Sequence, residues 1–113
     1  MKFRTKKEMV SYFKNMLAVD VRWAVRGLNV IYSYQTIAEK ASGEVTHHNG
    51  QGFSQFDSAI LTSFVNHIRK NGNLTSKQST TLLRIMPKYA GQLLNHSLAI
   101  GKIVKRDGLY QAA

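Results

Sequence analysis

Apolar positions recur every three or four residues through most of this chain, the period of an amphipathic helix rather than the alternation of a strand. Met9, Tyr12, Phe13, Met16 and Leu17 form the first such stripe. Thr5 and Glu8 make a capping-box pattern ahead of it, so a helix is predicted from about Lys6 to Val19. Asp20 is a candidate cap for a second helix, with Val21, Ala24, Val25, Leu28, Ile31 and Tyr32 on its apolar face. Arg22, Arg26, Asn29 and Ser33 form the polar stripe of that helix, which sets the two arginines one turn apart. The period then fails. Ser42, Gly43, His47, His48, Asn49, Gly50 and Gly52 predict a loop from Glu39 to Gly52, ~14 residues long and therefore suggestive of function.

Helical spacing resumes at Ile60, Leu61, Phe64, Val65 and Ile68, behind a second capping-box pattern at Ser54 and Asp57, and stops at Asn71-Gly72. Thr75 and Gln78 make a third. The helix they open turns Leu82, Leu83, Ile85 and Met86 inward and sets Lys77, Thr81, Arg84 and Lys88 at i, i+4, i+7 and i+11 on the opposite face. Pro87 either kinks this helix or starts another, in which Tyr89, Leu93, Leu94 and Leu98 continue the core until Gly101. Asp107-Gly108 between short apolar stretches predicts a hairpin over Lys102 to Tyr110 that carries Lys102, Lys105 and Arg106. The expected fold is mainly α: one domain, a compact bundle of about four to five helices with a long Gly/His/Asn loop and a small C-terminal β-hairpin.

Charge changes the picture from a plain helical bundle to one with a partner. Against 6 Asp and Glu stand 16 Lys and Arg in 113 residues, a formal net charge of +10. Such an excess costs self-repulsion in the compact state and favours contacts that release counterions from a polyanion, with nucleic acid or an anionic membrane surface foremost. No apolar run approaches the roughly 18 residues of a membrane span, and the Tyr, Phe and Met face of the first helix is needed for the core, so no membrane partner is expected. Cysteine is absent, which removes disulfides, thiolate metal sites and a cysteine nucleophile, and fits a reducing cytoplasm.

The helices on either side of Gly72 have the order of a helix-turn-helix unit whose second member presents Lys77 and Arg84 to DNA, an order that any antiparallel helix pair shares. Contact with phosphate oxygens demands less geometry than base reading. The loop residues His47, His48, Asn49, Gly50 and Gly52 suit such contact, because glycine lets the backbone approach a phosphate and Asn and His donate; the competing reading is an ordinary turn. Adjacent histidines make a poor metal site, with further ligands only at Glu39, Glu44, His67 or His96, and no metal or cofactor is expected. The carboxylates Glu8, Asp20, Glu39, Glu44, Asp57 and Asp107 are scattered, Asp57 reading as a cap, and neither a nucleophile elbow nor a Walker loop occurs, so a non-enzyme is expected. Trp23, Tyr32, Tyr34, Phe53, Phe56 and Tyr89 are candidates for stacking on unpaired bases, although aromatics in a small domain mostly build core.

Several segments in order carry a resemblance: Arg22-Trp23-Ala24-Val25-Arg26, Ile31-Tyr32-Ser33-Tyr34-Gln35-Thr36-Ile37-Ala38-Glu39, His48-Asn49-Gly50-Gln51-Gly52-Phe53, Leu74-Thr75-Ser76-Lys77-Gln78 and Pro87-Lys88-Tyr89-Ala90. Over about residues 15 to 94 the chain resembles a small family of tailed-bacteriophage double-stranded-DNA-binding proteins encoded in replication operons. The resemblance implies a protein of the infected bacterial cytoplasm that coats duplex DNA with little sequence preference, self-associating along it. Charge and helical phase assign the phosphate contacts to Arg22, Arg26, the His47 to Gly52 loop, Lys77, Gln78, Arg84 and Lys88, with Lys102, Lys105 and Arg106 on the hairpin. Single-stranded DNA is a second expected partner. A basic inhibitor of a host enzyme and a sequence-specific repressor are the competing readings.

Overall fold

The computed structural model describes residues 2–42 and 52–113, and the side chains of all of these except 35–42. A short strand, β1 (Lys2–Phe3), leads into α1 (Lys6–Val19), where Thr5 Oγ1 accepts the Glu8 N–H at 3.1 Å as its capping pattern requires. Asp20 is extended, breaks the helix and starts the next: its Oδ1 accepts the Arg22 N–H at 2.9 Å. The second helix, α2 (Val21–Ser42), is longer than expected. Residues 39–42, read as the start of the loop, are helical, because Ala38, Glu39, Lys40 and Ala41 are strong helix formers and the turn-forming composition begins only at Ser42-Gly43.

Helix α3 (Ser58–Asn71) ends where Gly72 turns left-handed, with φ +88°, and returns its N–H to the Ile68 carbonyl at 2.7 Å. The Thr75–Gln78 capping box is complete and opens α4 (Ser76–Ile85). Pro87, which has no N–H and crowds the preceding turn, ends α4 early; a 3₁₀ turn (Met86–Tyr89) follows and then α5 (Ala90–Ala99). The predicted hairpin forms from β2 (Ile103–Arg106) and β3 (Leu109–Ala112), with Asp107 and Gly108 at φ +53° and +78° in a two-residue turn. β1 adds to its far edge, Lys2 opposite Gln111 and Phe3 opposite Tyr110, in the antiparallel order β1-β3-β2. Two residues are too few to show a period, so the chain's hydrophobic pattern does not predict this strand.

The core is one cluster to which α1 to α5 all contribute: Phe13 and Leu17 from α1, Leu28 and Ile31 from α2, Phe64 from α3, Leu82 from α4, Leu94 from α5. Gly27 lets α2 and α5 approach closely, since a Cβ there would stand 2.8 Å from Leu93 Cδ1. Trp23 stays half-buried, edge-on to Phe13 at 5.2 Å between ring centroids and 84° between planes. No helix among the described residues is long and apolar enough to cross a membrane.

Candidate nucleic-acid interface

The polar stripe of α2 lies where its helical phase predicts: Arg22, Arg26, Asn29 and Ser33 line the outer side of the helix, Arg22 and Asn29 exposed and Arg26 open to solvent along the groove it borders. What the fold adds is that groove, about 590 Å³ in volume, beside the two arginines. Its other walls are Ile68 at the end of α3, Gly72, Asn73 and Leu74 in the turn, and Ser79 in α4, with Val21 and Val25 completing the α2 side. Arg22 and Arg26 thus face the turn of the α3–α4 pair, and Lys77 is exposed in the first turn of α4. Arg26 Nε donates to the Arg22 carbonyl at 3.4 Å, and Arg22 Nε lies 3.9 Å from Asp20 Oδ1, a contact too exposed to neutralise it. Arg84 is exposed in the last turn of α4, and Thr81, between it and Lys77, turns its hydroxyl back to the Lys77 carbonyl at 3.2 Å.

Lys88 does not belong to this surface. α4 ends at Ile85, so the i+11 position leaves the helix, and Lys88 Nζ sits 2.6 Å from the buried Asp57 carboxylate. Asp57 stands at the N-cap position of α3, as expected, but its side chain makes no capping bond. Its Oδ2 accepts the Tyr89 hydroxyl at 2.7 Å, while Tyr89 Oη accepts the Ser54 N–H at 2.9 Å. Ser54 performs its half of the predicted pattern, Oγ accepting the Asp57 N–H at 3.3 Å. Burial alone would raise the Asp57 carboxyl, but hydrogen bonds from Lys88, Tyr89 and Ser54 and the Lys88 charge together hold it below its ordinary value of 3.8. Burial pushes the Tyr89 phenol up, and the neighbouring Asp57 adds to that against the Ser54 hydrogen bonds.

One further predicted contact is occupied by the fold. Gly52 is buried at φ +95°, and the Gln92 side chain holds both its N–H, at 3.0 Å, and its carbonyl, at 3.2 Å, so this glycine has no N–H left for a phosphate. Gln78 gives its side-chain oxygen to the Thr75 N–H at 2.9 Å and serves as a cap, a role that uses its oxygen and not its amide nitrogen. His47, His48, Asn49 and Gly50 lie outside the described residues. Lys102, Lys105 and Arg106 are exposed on and before the hairpin, where Lys105 Nζ stands 5.3 Å from the centre of the Tyr110 ring; Lys102 lines a second crevice together with Arg26. Among the aromatics, Phe53 and Tyr89 are core, Tyr34 Oη is hydrogen-bonded to His96 Nδ1 at 2.6 Å, and Phe56 is 92% exposed.

Sequence reasoning missed the basic end of α3. Arg69 packs over the Tyr32 ring at 5.0 Å and Lys70 is exposed, two residues before the groove-lining Gly72. Their position in a last helical turn, where cations meet the negative end of the helix dipole, was the available signal. Among the residues whose side chains are described, the carboxylates have other tasks. Glu8 accepts the Arg4 N–H, Asp20 caps α2, Asp57 is buried and Asp107 sits in the hairpin turn. No group of three or more His, Asp or Glu among the described residues is arranged to hold a metal ion. Comparison with protein-family models, curated proteins and solved structures finds no match to this chain.

Proposed function

We propose that this is a non-enzymatic protein that binds duplex DNA through its phosphates with little sequence preference. In this reading it acts on a bacteriophage genome during replication in the cytoplasm of the infected cell, with many copies self-associating along the duplex. The carrying observation is that Arg22 and Arg26 line one open groove with the α3–α4 turn, while the described carboxylates serve caps, a turn and the core. The net charge of +10 and the resemblance of the ordered motifs to phage DNA-binding proteins support the same reading. Fluorescence anisotropy of labelled duplexes across a salt series tests it. Replacing both Arg22 and Arg26 by Ala weakens binding to every sequence alike and flattens the slope of log K against log salt by about 1.8, at about 0.9 for each phosphate no longer neutralised. A folded double variant with an unchanged slope sinks the proposal.

The groove lining supports one other reading. Val21, Val25, Ile68 and Leu74 add apolar surface to the two arginines, which also suits an acidic protein surface such as that of a host enzyme. A host-protein complex that survives complete nuclease digestion, together with negligible binding to any DNA, decides for that partner.

A further inference from the structure

On the far side of Arg26 from the groove, α1, α2 and α5 leave a crevice of about 200 Å³. Phe13, Leu17, Val30 and Leu93 make its apolar walls, Trp23 is half-buried beside them, and Arg26 and Lys102 supply positive charge. His96 also lines it, with Nδ1 engaged by Tyr34, as does Ser97. The volume falls below the roughly 300–1,000 Å³ of pockets for drug-sized ligands and limits the occupant to about a single ring system. Apolar walls select a flat apolar body, and two cations select an anion attached to it. Arg26 lines both the crevice and the groove, so a strand held in the groove has a neighbouring phosphate ligand that opens directly onto an apolar slot.

From this juxtaposition we propose that the crevice receives one unpaired nucleotide, its base against Trp23 and the apolar walls and its phosphate on Arg26 and Lys102. The proposal rests on the DNA-binding reading and deepens it: paired regions are held by phosphates alone, and the protein pauses where a base is unpaired. Stacking on an aromatic side chain is tolerant of base identity, so the preference is for unpairedness and not for sequence.

The chain contains 1 Trp, which places the only indole reporter beside the crevice. The test titrates the protein with a fully paired duplex, the same duplex carrying a thymidine bulge, a thymidine oligomer and thymidine 5′-monophosphate, and follows anisotropy and Trp23 emission together. The expected result is binding of both duplexes, with quenching of Trp23 by the bulged duplex, the oligomer and, at higher concentration, the mononucleotide, and none by the paired duplex. Ser97→Leu, which fills the crevice without removing a charge, weakens the quenching interaction roughly tenfold and leaves paired-duplex affinity nearly unchanged. Lys102→Ala, which discharges the crevice, weakens the quenching interaction as well and serves if Ser97→Leu folds poorly. Binding of the bulged duplex without quenching, or equal quenching by the paired duplex, overturns the crevice proposal and spares the groove. Failure of every DNA to change the anisotropy overturns both.

Discussion

Asp57 shows how a single residue can be read correctly for its type and wrongly for its task. Asp before an apolar run signals a helix cap, yet here the carboxylate is buried and takes its hydrogen bonds from Lys88 and Tyr89, more than thirty residues further along the chain. Removing it in Asp57→Ala takes the buried acceptor from the Tyr89 hydroxyl and the ion-pair partner from the half-exposed Lys88 ammonium, and lowers unfolding free energy by about 1–2 kcal/mol, measurable by urea denaturation. Its lowered folded pKa fixes the sign of the acid response: the contribution is complete above the unfolded value of about 4 and is lost as pH falls through the folded value. Tyr89 acts at the other end. With a raised folded pKa, its contribution is complete below about pH 10 and disappears as pH rises through the folded value. Urea midpoints from neutral to strongly acidic pH in wild type and Asp57→Ala check the first sign, because the variant's midpoint falls less steeply. Lys88→Ala lowers the thermal midpoint and leaves the salt slope of DNA binding unaltered, the opposite of the Arg22 and Arg26 result.

At the scale of elements, caps and turns were the most legible signals because they depend on neighbours within a few residues. Thr75 and Gln78 close a complete capping box, Gly72 takes the left-handed position, and Asp107-Gly108 makes the hairpin turn. Thr75→Ala lowers stability by about 1 kcal/mol, because the Gln78 N–H in the first turn of α4 is left without its hydroxyl acceptor. Gly72→Ala lowers it by about 1–2 kcal/mol, since no atom crowds a Cβ there and only the positive φ opposes it; thermal melts distinguish both variants from wild type. Where local signals competed, the reading failed. Helix-forming residues carried α2 past Glu39 to Ser42, and Pro87 stopped α4 before Lys88 could join its basic stripe. Of the candidate site, the arginine pair on α2 was legible from helical phase, whereas Gly52 was assigned to a ligand although the Gln92 side chain occupies its N–H.

For the whole molecule, the charge excess predicts opposite responses to one variable. Added salt screens the repulsion among 16 basic residues and raises the thermal midpoint, while the same salt weakens DNA binding by removing the gain from counterion release. Parallel melting and anisotropy series check the pair of trends, and a midpoint that falls with added salt contradicts the first. The sequence by itself determined the helical class, the positions of most caps and turns, the arginine stripe of α2 and the sign of the surface. All of these follow from periodicity, local backbone geometry or a simple sum of charges. Only the tertiary structure decided that β1 joins the C-terminal hairpin, that Lys88 belongs to a buried carboxylate, and that Arg26 stands between a groove and a crevice. Those pairings join residues distant in the chain and are set by which apolar faces pack together, and no local pattern encodes which polar group the packing will leave beside which.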